Sequence, residues 1–166
     1  MTALKEYITD SLKRGMLQRS EAPDTCSFFF IDKKDGKLRP VQDYRPLNTI
    51  TRKNVAPILL IPELINKLLR ARFFTNLDVC WRYNNIRIQE GDKYKVAFKT
   101  PFGLFESCIM TFRLCNAPAT FQTFMDTQFA DFLATGKVVI YLDDILVIAQ
   151  TIVELVNLHM EFSNTY

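Results

Sequence analysis

Three aspartates set in apolar, strand-like runs are the residues of this chain best suited to chemistry. Val138-Val139-Ile140-Tyr141-Leu142-Asp143-Asp144-Ile145-Leu146-Val147-Ile148 places two adjacent carboxylates inside a mostly β-branched run, which is the composition of two buried strands. Burying an unpaired ionised carboxylate costs several kcal/mol. Asp143 and Asp144 therefore belong where the chain turns back, and the run is predicted to be a hairpin with an acidic tip. Phe73-Phe74-Thr75-Asn76-Leu77-Asp78-Val79 is a second such run, ending in a lone Asp78. Carboxylates held rigidly at strand ends are hard oxygen ligands for a divalent cation, and three of them can hold two Mg²⁺ ions about 3.5–4 Å apart. One ion lowers the pKa of an attacking hydroxyl while the other neutralises a leaving pyrophosphate. The expected chemistry is thus in-line nucleotidyl transfer rather than hydrolysis at zinc. The competing reading of an Asp-Asp pair is an ordinary acidic turn; the second site at Asp78 weighs against it.

Tyr141-Leu142-Asp143-Asp144 resembles the Tyr-x-Asp-Asp box of reverse transcriptases, and its flanks are similar to those of gypsy-type LTR retrotransposon polyproteins. The resemblance implies an α+β fold of fingers and palm, with an antiparallel palm sheet packed on helices. It implies an RNA-directed DNA polymerase that adds deoxynucleotides to a primer on an RNA or DNA template. Asp78, Asp143 and Asp144 would be catalytic and, with Val79, would bind Mg²⁺ or Mn²⁺. Lys33-Lys34-Asp35-Gly36-Lys37-Leu38-Arg39, followed by Asp43-Tyr44-Arg45-Pro46-Leu47-Asn48, resembles the family's fingers motif, in which Lys33 and Arg39 would grip the triphosphate of a deoxynucleoside triphosphate. Without that resemblance the Lys/Asp/Gly cluster reads as a solvated turn. Cys80-Trp81-Arg82-Tyr83-Asn84-Asn85 is similar to a segment of fungal-like members and implies Tyr83 as the steric gate that rejects a 2′-hydroxyl. Its plain alternative is a half-buried strand or helix Tyr. Asn116 to Gln122 matches the template-and-nucleotide-facing box, and the substrate-binding positions implied there are Phe112, Arg113, Gln122 and Tyr141.

Elements that could position these groups follow from periodicity and punctuation. Leu4, Ile8, Leu12 and Met16 share a face and predict an amphipathic helix from Leu4 to Leu17, fraying at Gly15. Ser27–Ile31 and Leu38–Val41 read as a hairpin around Asp35-Gly36. Pro62 to Leu69 reads as a short helix opened by proline. Lys95–Lys99 and Leu104–Met110 read as strands joined through Pro101-Phe102-Gly103. Pro118 is predicted to open one long helix to about Leu133, with Phe121, Phe124, Met125, Phe129 and Phe132 in the core. A closing helix is expected over Thr151 to Phe162, capped by Thr151. On the resemblance, residues 1–52 and 86–111 are fingers, residues 53–85 and 112–166 are palm, and nothing corresponds to a thumb or an RNase H domain.

A chain of 166 residues with 48% hydrophobic content can bury its own core, as one domain or as two lobes sharing a sheet. Its net charge of +3 permits a polyanionic partner without demanding one. The four cysteines lack Cys-x-x-Cys spacing and His159 is the sole histidine, so zinc is not expected and the thiols read as reduced. With no apolar leader and no run long enough to span a bilayer, the expectation is a soluble intracellular protein, cytoplasmic within a retroelement particle and not membrane-bound. The oligomeric state is not legible. Departures from the family pattern share one character: Arg70, Arg82 and Arg113 stand where glycine is usual, Cys80 where Arg is frequent and Leu59 where Pro is frequent. Each is one G-to-A or C-to-T transition away, the mark of a decayed copy. The rival to an active polymerase is therefore a catalytically inactive remnant that binds nucleic acid or has no retained function. A structural metal-binding domain unrelated to polymerases is the third reading.

Overall fold

Strands that bury one face and leave the other open must be covered by helices or by a second layer, and the two acidic runs meet that condition in a small sheet of their own. The computed structural model describes residues 2–32, 36, 38–54, 61–69 and 71–164. The chain divides into two units: Met1–Lys53 with Tyr83–Ala117, and Asn54–Arg82 with Pro118–Tyr166.

In the first unit, helix α1 (Thr2–Lys13) buries Leu4, Ile8 and Ser11. It stops short of the predicted Leu17. Gly15 takes a φ of 63°, and the Gly15 and Met16 N–H groups donate back to Leu12 and Ser11. This pattern closes a helix on a left-handed glycine. Leu17, the end of the predicted helix, instead opens strand β1 (Leu17–Arg19). Strands β2 (Cys26–Asp32) and β3 (Leu38–Gln42) form the expected antiparallel hairpin. Strands β5 (Ala97–Thr100) and β6 (Gly103–Ser107) form another, turned at Gly103, whose φ of 119° suits glycine. The sheet order is β1-β6-β5-β2-β3, antiparallel except where β2 runs parallel to β5. Its core joins Leu4, Ile8, Leu17, Phe98 and Phe105, with Phe28 stacked on Phe98 at 5.2 Å. A short helix that periodicity does not reveal, α2 (Arg45–Ile50), carries Pro46 in its first turn.

The second unit holds α3 (Ile61–Leu69), β4 (Phe73–Asp78), α4 (Ala117–Gln128), α5 (Ala130–Ala134), β7 (Val138–Tyr141), β8 (Asp144–Ala149) and α6 (Ile152–Asn164). Its sheet, β4-β8-β7, is wholly antiparallel. Among the described residues each unit has its own sheet, so the expectation of lobes sharing one is corrected: β4 pairs with β8 rather than with any strand of the first unit. The predicted long helix is two, because the backbone leaves helical geometry at Phe129 (φ −112°, ψ 23°). Phe129 is buried and stacks on Phe162 of α6 at 4.5 Å. Ile145, Val147 and Ala149 alternate inward along β8, beneath α6.

Thr151 caps α6 as expected, its hydroxyl accepting the Glu154 N–H at 3.2 Å while the Glu154 carboxylate accepts the Gln150 N–H at 2.9 Å. Lys137, 2.7 Å away, is the main cause that lowers the Glu154 pKa from its ordinary value, aided by the Gln150 N–H. A carboxyl depressed in the folded state stabilises above its unfolded pKa, about 4.3, and that contribution disappears as pH falls through the folded value. A thermal-melting profile between about pH 5 and 3 should therefore be flatter for Glu154→Gln than for the wild-type chain. Parallel profiles would remove Glu154 from the cap.

Candidate active site

Register places the carboxylates of the second unit. Asp78, the last residue of β4, lies directly opposite Asp144, the first residue of β8, and Asp144 lies opposite Tyr141 of β7. Directly opposed residues of antiparallel strands project to the same face, so Asp78, Asp144, Asn76 and Tyr141 share one. The hairpin turn is Leu142-Asp143, so the tip holds Asp143 while Asp144 already belongs to the strand. Leu142 has a φ of 55°. A two-residue hairpin turn asks for positive φ, a conformation that strains leucine.

Gln122 on α4 secures that strained tip. Its Oε1 accepts the Leu142 N–H at 2.8 Å, and its Nε2 donates to the Ile140 carbonyl at 3.3 Å and to Asp126 at 2.8 Å. The side chain is 2% exposed. Its position behind the hairpin makes it a support for Asp143. The Val79 N–H donates to the Asp143 carbonyl at 3.4 Å, joining the end of β4 to the tip. Asn76, which the sequence reading leaves unassigned, donates to Asp144 at 3.2 Å. Its signal was its place two residues before Asp78, on the same face. Tyr141, Asp144, Asn76, Phe74 and Leu146 line a cleft of about 460 Å³ together with Leu64 of α3.

Arg82 is the residue whose effect the sequence could not show. It begins a 3₁₀ turn (Arg82–Asn85) with a φ of 33°, after Trp81 at 63°. Its guanidinium donates to Asp78 at 3.0 Å and also pairs with Asp143. Burial opposes the guanidinium's charge, yet the carboxylates of Asp143 and Asp78, with a further contribution from Asp144, more than offset this and raise its pKa. Asp78, Asp143 and Asp144, with the Val79 carbonyl, offer the hard oxygen donors that suit Mg²⁺ or Mn²⁺. As the side chains stand, however, no three acidic, His or Cys groups among the described residues converge on one point. Arg82 joins two of the carboxylates and Asn76 holds the third.

Arg39, Tyr83, Phe112 and Arg113 lie in the first unit. Arg39 is exposed on β3, opposite Ile31; Lys33, like Leu59 and Arg70, lies outside the described residues. Tyr83 is half-buried in the 3₁₀ turn, and Phe112 is 52% exposed with the Arg113 guanidinium 5.3 Å above its ring. Arg113 has no positive φ, unlike Arg82, so of these two residues standing where glycine is usual only Arg82 carries backbone strain. Its Nε is buried with no hydrogen-bond partner among the described residues. The loop carrying Phe112 and Arg113 is clamped by Asn48, which donates to the Arg113 carbonyl at 2.8 Å and accepts the Cys115 N–H at 2.9 Å. Tyr44, 2% exposed, donates to the Val96 carbonyl at 3.2 Å. Arg45 hydrogen-bonds both Asp43 oxygens at 2.8 and 2.7 Å and holds that carboxyl down at about 2. The Asp-Tyr-Arg-Pro-Leu-Asn motif is thus an anchor and a clamp, functions that its sequence alone does not disclose.

The family model for reverse transcriptase (RNA-dependent DNA polymerase) matches residues 31–166. The chain belongs to the reverse transcriptase family. It is 40% identical over 147 residues to the transposon Tf2-3 polyprotein of Schizosaccharomyces pombe and 39% identical to the Tf2-7 polyprotein of the same organism, each match covering 89% of this chain and 11% of the relative. The chain thus spans about a tenth of the length of these relatives. Among solved structures, a foamy viral protease-reverse transcriptase in complex with an RNA/DNA hybrid superposes with a TM-score of 0.84 at 19% identity, covering 99% of this chain and 22% of that one. The enzyme's complex with double-stranded DNA gives 0.81 at 22% identity, covering 96% and 28%. The α+β fingers-and-palm fold class is therefore observed.

Removing the Gln122 support leaves the Leu142 N–H without its side-chain acceptor. Gln122→Ala should lower stability by about 1–3 kcal/mol and accelerate hydrogen exchange at Leu142, while Gln122→Glu, which keeps an acceptor, should lose less. Unchanged Leu142 exchange in the alanine variant would show that the tip is held by other means.

Proposed function

We propose that this chain is the fingers-and-palm portion of an RNA-directed DNA polymerase from a gypsy-type LTR retroelement, adding deoxynucleotides to a primer on an RNA or DNA template inside a cytoplasmic particle. The observation that carries the proposal is the register of the second sheet, which sets Asp78 against Asp144 and leaves Asp143 in the adjoining turn. In this reading Asp78, Asp143 and Asp144 hold two Mg²⁺ ions, with the Val79 carbonyl as a further donor. When bound, the ions acidify the primer hydroxyl and stabilise the charge on the leaving pyrophosphate. The chain's own contribution is positional: Gln122 and Val79 fix the tip, and Asn76 orients Asp144. Lys33 and Arg39 bind the triphosphate, Tyr83 discriminates against a 2′-hydroxyl, and Phe112, Arg113 and Tyr141 face the nucleotide or template. Gln122 takes part from behind the hairpin.

A second reading, a remnant without catalysis, is favoured by one observation: Arg82 pairs with two of the three carboxylates. The two readings separate in a single-nucleotide addition assay on a primed RNA template with Mg²⁺. The polymerase reading expects addition that Asp143→Asn lowers by on the order of 10²-fold or more. The remnant reading expects none from the wild-type chain and recovery in Arg82→Gly with Arg113→Gly. Activity insensitive to Asp143→Asn would overturn the assignment of the site. Nucleotide binding supplies a separate check, since Arg39→Ala should weaken deoxynucleoside triphosphate binding by about 10-fold, and equal affinity would remove Arg39 from the triphosphate site.

A further inference from the structure

Asp78 ends β4 while Asp143 lies in the turn between β7 and β8, and one guanidinium reaches both. Part of the positive charge that a divalent ion would bring to those carboxylates is therefore already supplied by the chain. We infer that Arg82 is a resident cation of this site, competing with Mg²⁺ or Mn²⁺ for Asp78 and Asp143 and weakening the binding of the ion. This inference deepens the polymerase reading and rests on its assignment of the three aspartates.

Geometry, strain and charge support it independently. A guanidinium is a flat fork whose N–H groups match carboxylate oxygens pair by pair, and Arg82 turns one terminal nitrogen to Asp78 and the other to Asp143. It does so from an unfavourable backbone. Arg82 sits at a φ of 33° beside Trp81 at 63°, in the left-handed region that strains a non-glycine residue. The ion pairs to Asp78 and Asp143 act against that strain. The arrangement also places Asp143 in surroundings that keep its side chain only 16% exposed, against 63% for Asp78 and 45% for Arg82. A poorly solvated carboxylate needs a counter-cation more than an exposed one does. If Arg82 withdraws, a metal ion is the natural replacement. While it stays, one of the three negative charges facing an arriving ion is cancelled and oxygens of two of the three ligands are engaged. Both effects oppose metal binding.

The test is Mn²⁺ binding, read from the electron paramagnetic resonance signal of the free ion, to the full 166-residue chain and to Arg82→Gln and Arg82→Gly. Glutamine removes the charge and keeps a polar side chain; glycine also accepts the positive φ without strain, so one variant guards against misfolding in the other. Both should bind Mn²⁺ about 10-fold tighter than wild type or better, Mg²⁺ should compete, and Asp143→Asn added to Arg82→Gln should reverse the gain. Equal Mn²⁺ affinity in all three proteins, abolished by Asp143→Asn, would overturn the inference and leave the polymerase reading standing. Failure of every variant to bind Mn²⁺, with folding verified by circular dichroism, would overturn both.

Discussion

The antiparallel pairing of β4 with β8 is the constraint on which the acidic site depends. Because side chains alternate along a strand, a slip of one residue in that ladder would send Asp78 to the opposite face. The apolar faces prevent the slip. Ile145, Val147 and Ala149 are buried on β8, and the same alternation that drives them inward carries Asp144 to the open face. The hydrophobic term thus selects the register, and the register sets the carboxylates. The hairpin adds a local demand, a positive φ at Leu142, which is met with the help of the Gln122 bond from α4.

Within that frame Arg82 changes the electrostatics more than the shape. Three carboxylates on neighbouring positions repel one another in the absence of a cation. A guanidinium from the same unit relieves this for Asp78 and Asp143, and the Asn76 amide gives Asp144 a neutral donor. The result is a self-satisfied arrangement. Arg113, the other arginine at a position where glycine is usual, does not show this behaviour. It stacks over Phe112, leaves Nε buried and unpaired among the described residues, and is held by Asn48 through its carbonyl rather than its side chain. Two replacements of the same kind therefore have different physical consequences.

Much of the fold was legible because local signals agreed with it. The strands ending at Asp78 and flanking Asp143, the proline-led helix α3 and the Thr151 cap of α6 all appear where composition and punctuation put them. The errors arose where tertiary context prevailed. Leu17 closes the predicted helix yet pairs with Ser107 in a strand, because Gly15 ends the helix first. Phe129 fits an unbroken helix yet sits at a break, stacked on a residue of α6 33 positions later. The clamp made by Asn48 and the Asp143 arm of the bridge made by Arg82 depend on partners more than 60 residues away in sequence, which no local pattern encodes. The acidic residues themselves were readable because a charge inside an apolar run demands an explanation; the asparagine, glutamine and arginine that serve them carry no such signal.

Crystals of the chain and of Arg82→Gly soaked in Mn²⁺ and measured for anomalous scattering offer the most direct test that these aspartates form an ion site closed by Arg82. The account predicts, at low Mn²⁺, a peak at Asp78 and Asp143 in the glycine variant and none in the wild-type chain. At high Mn²⁺ a wild-type peak should appear only with Arg82 turned away from both carboxylates. A wild-type peak at low Mn²⁺ with the Arg82 bridge intact, or no peak at these residues in the variant, would contradict it.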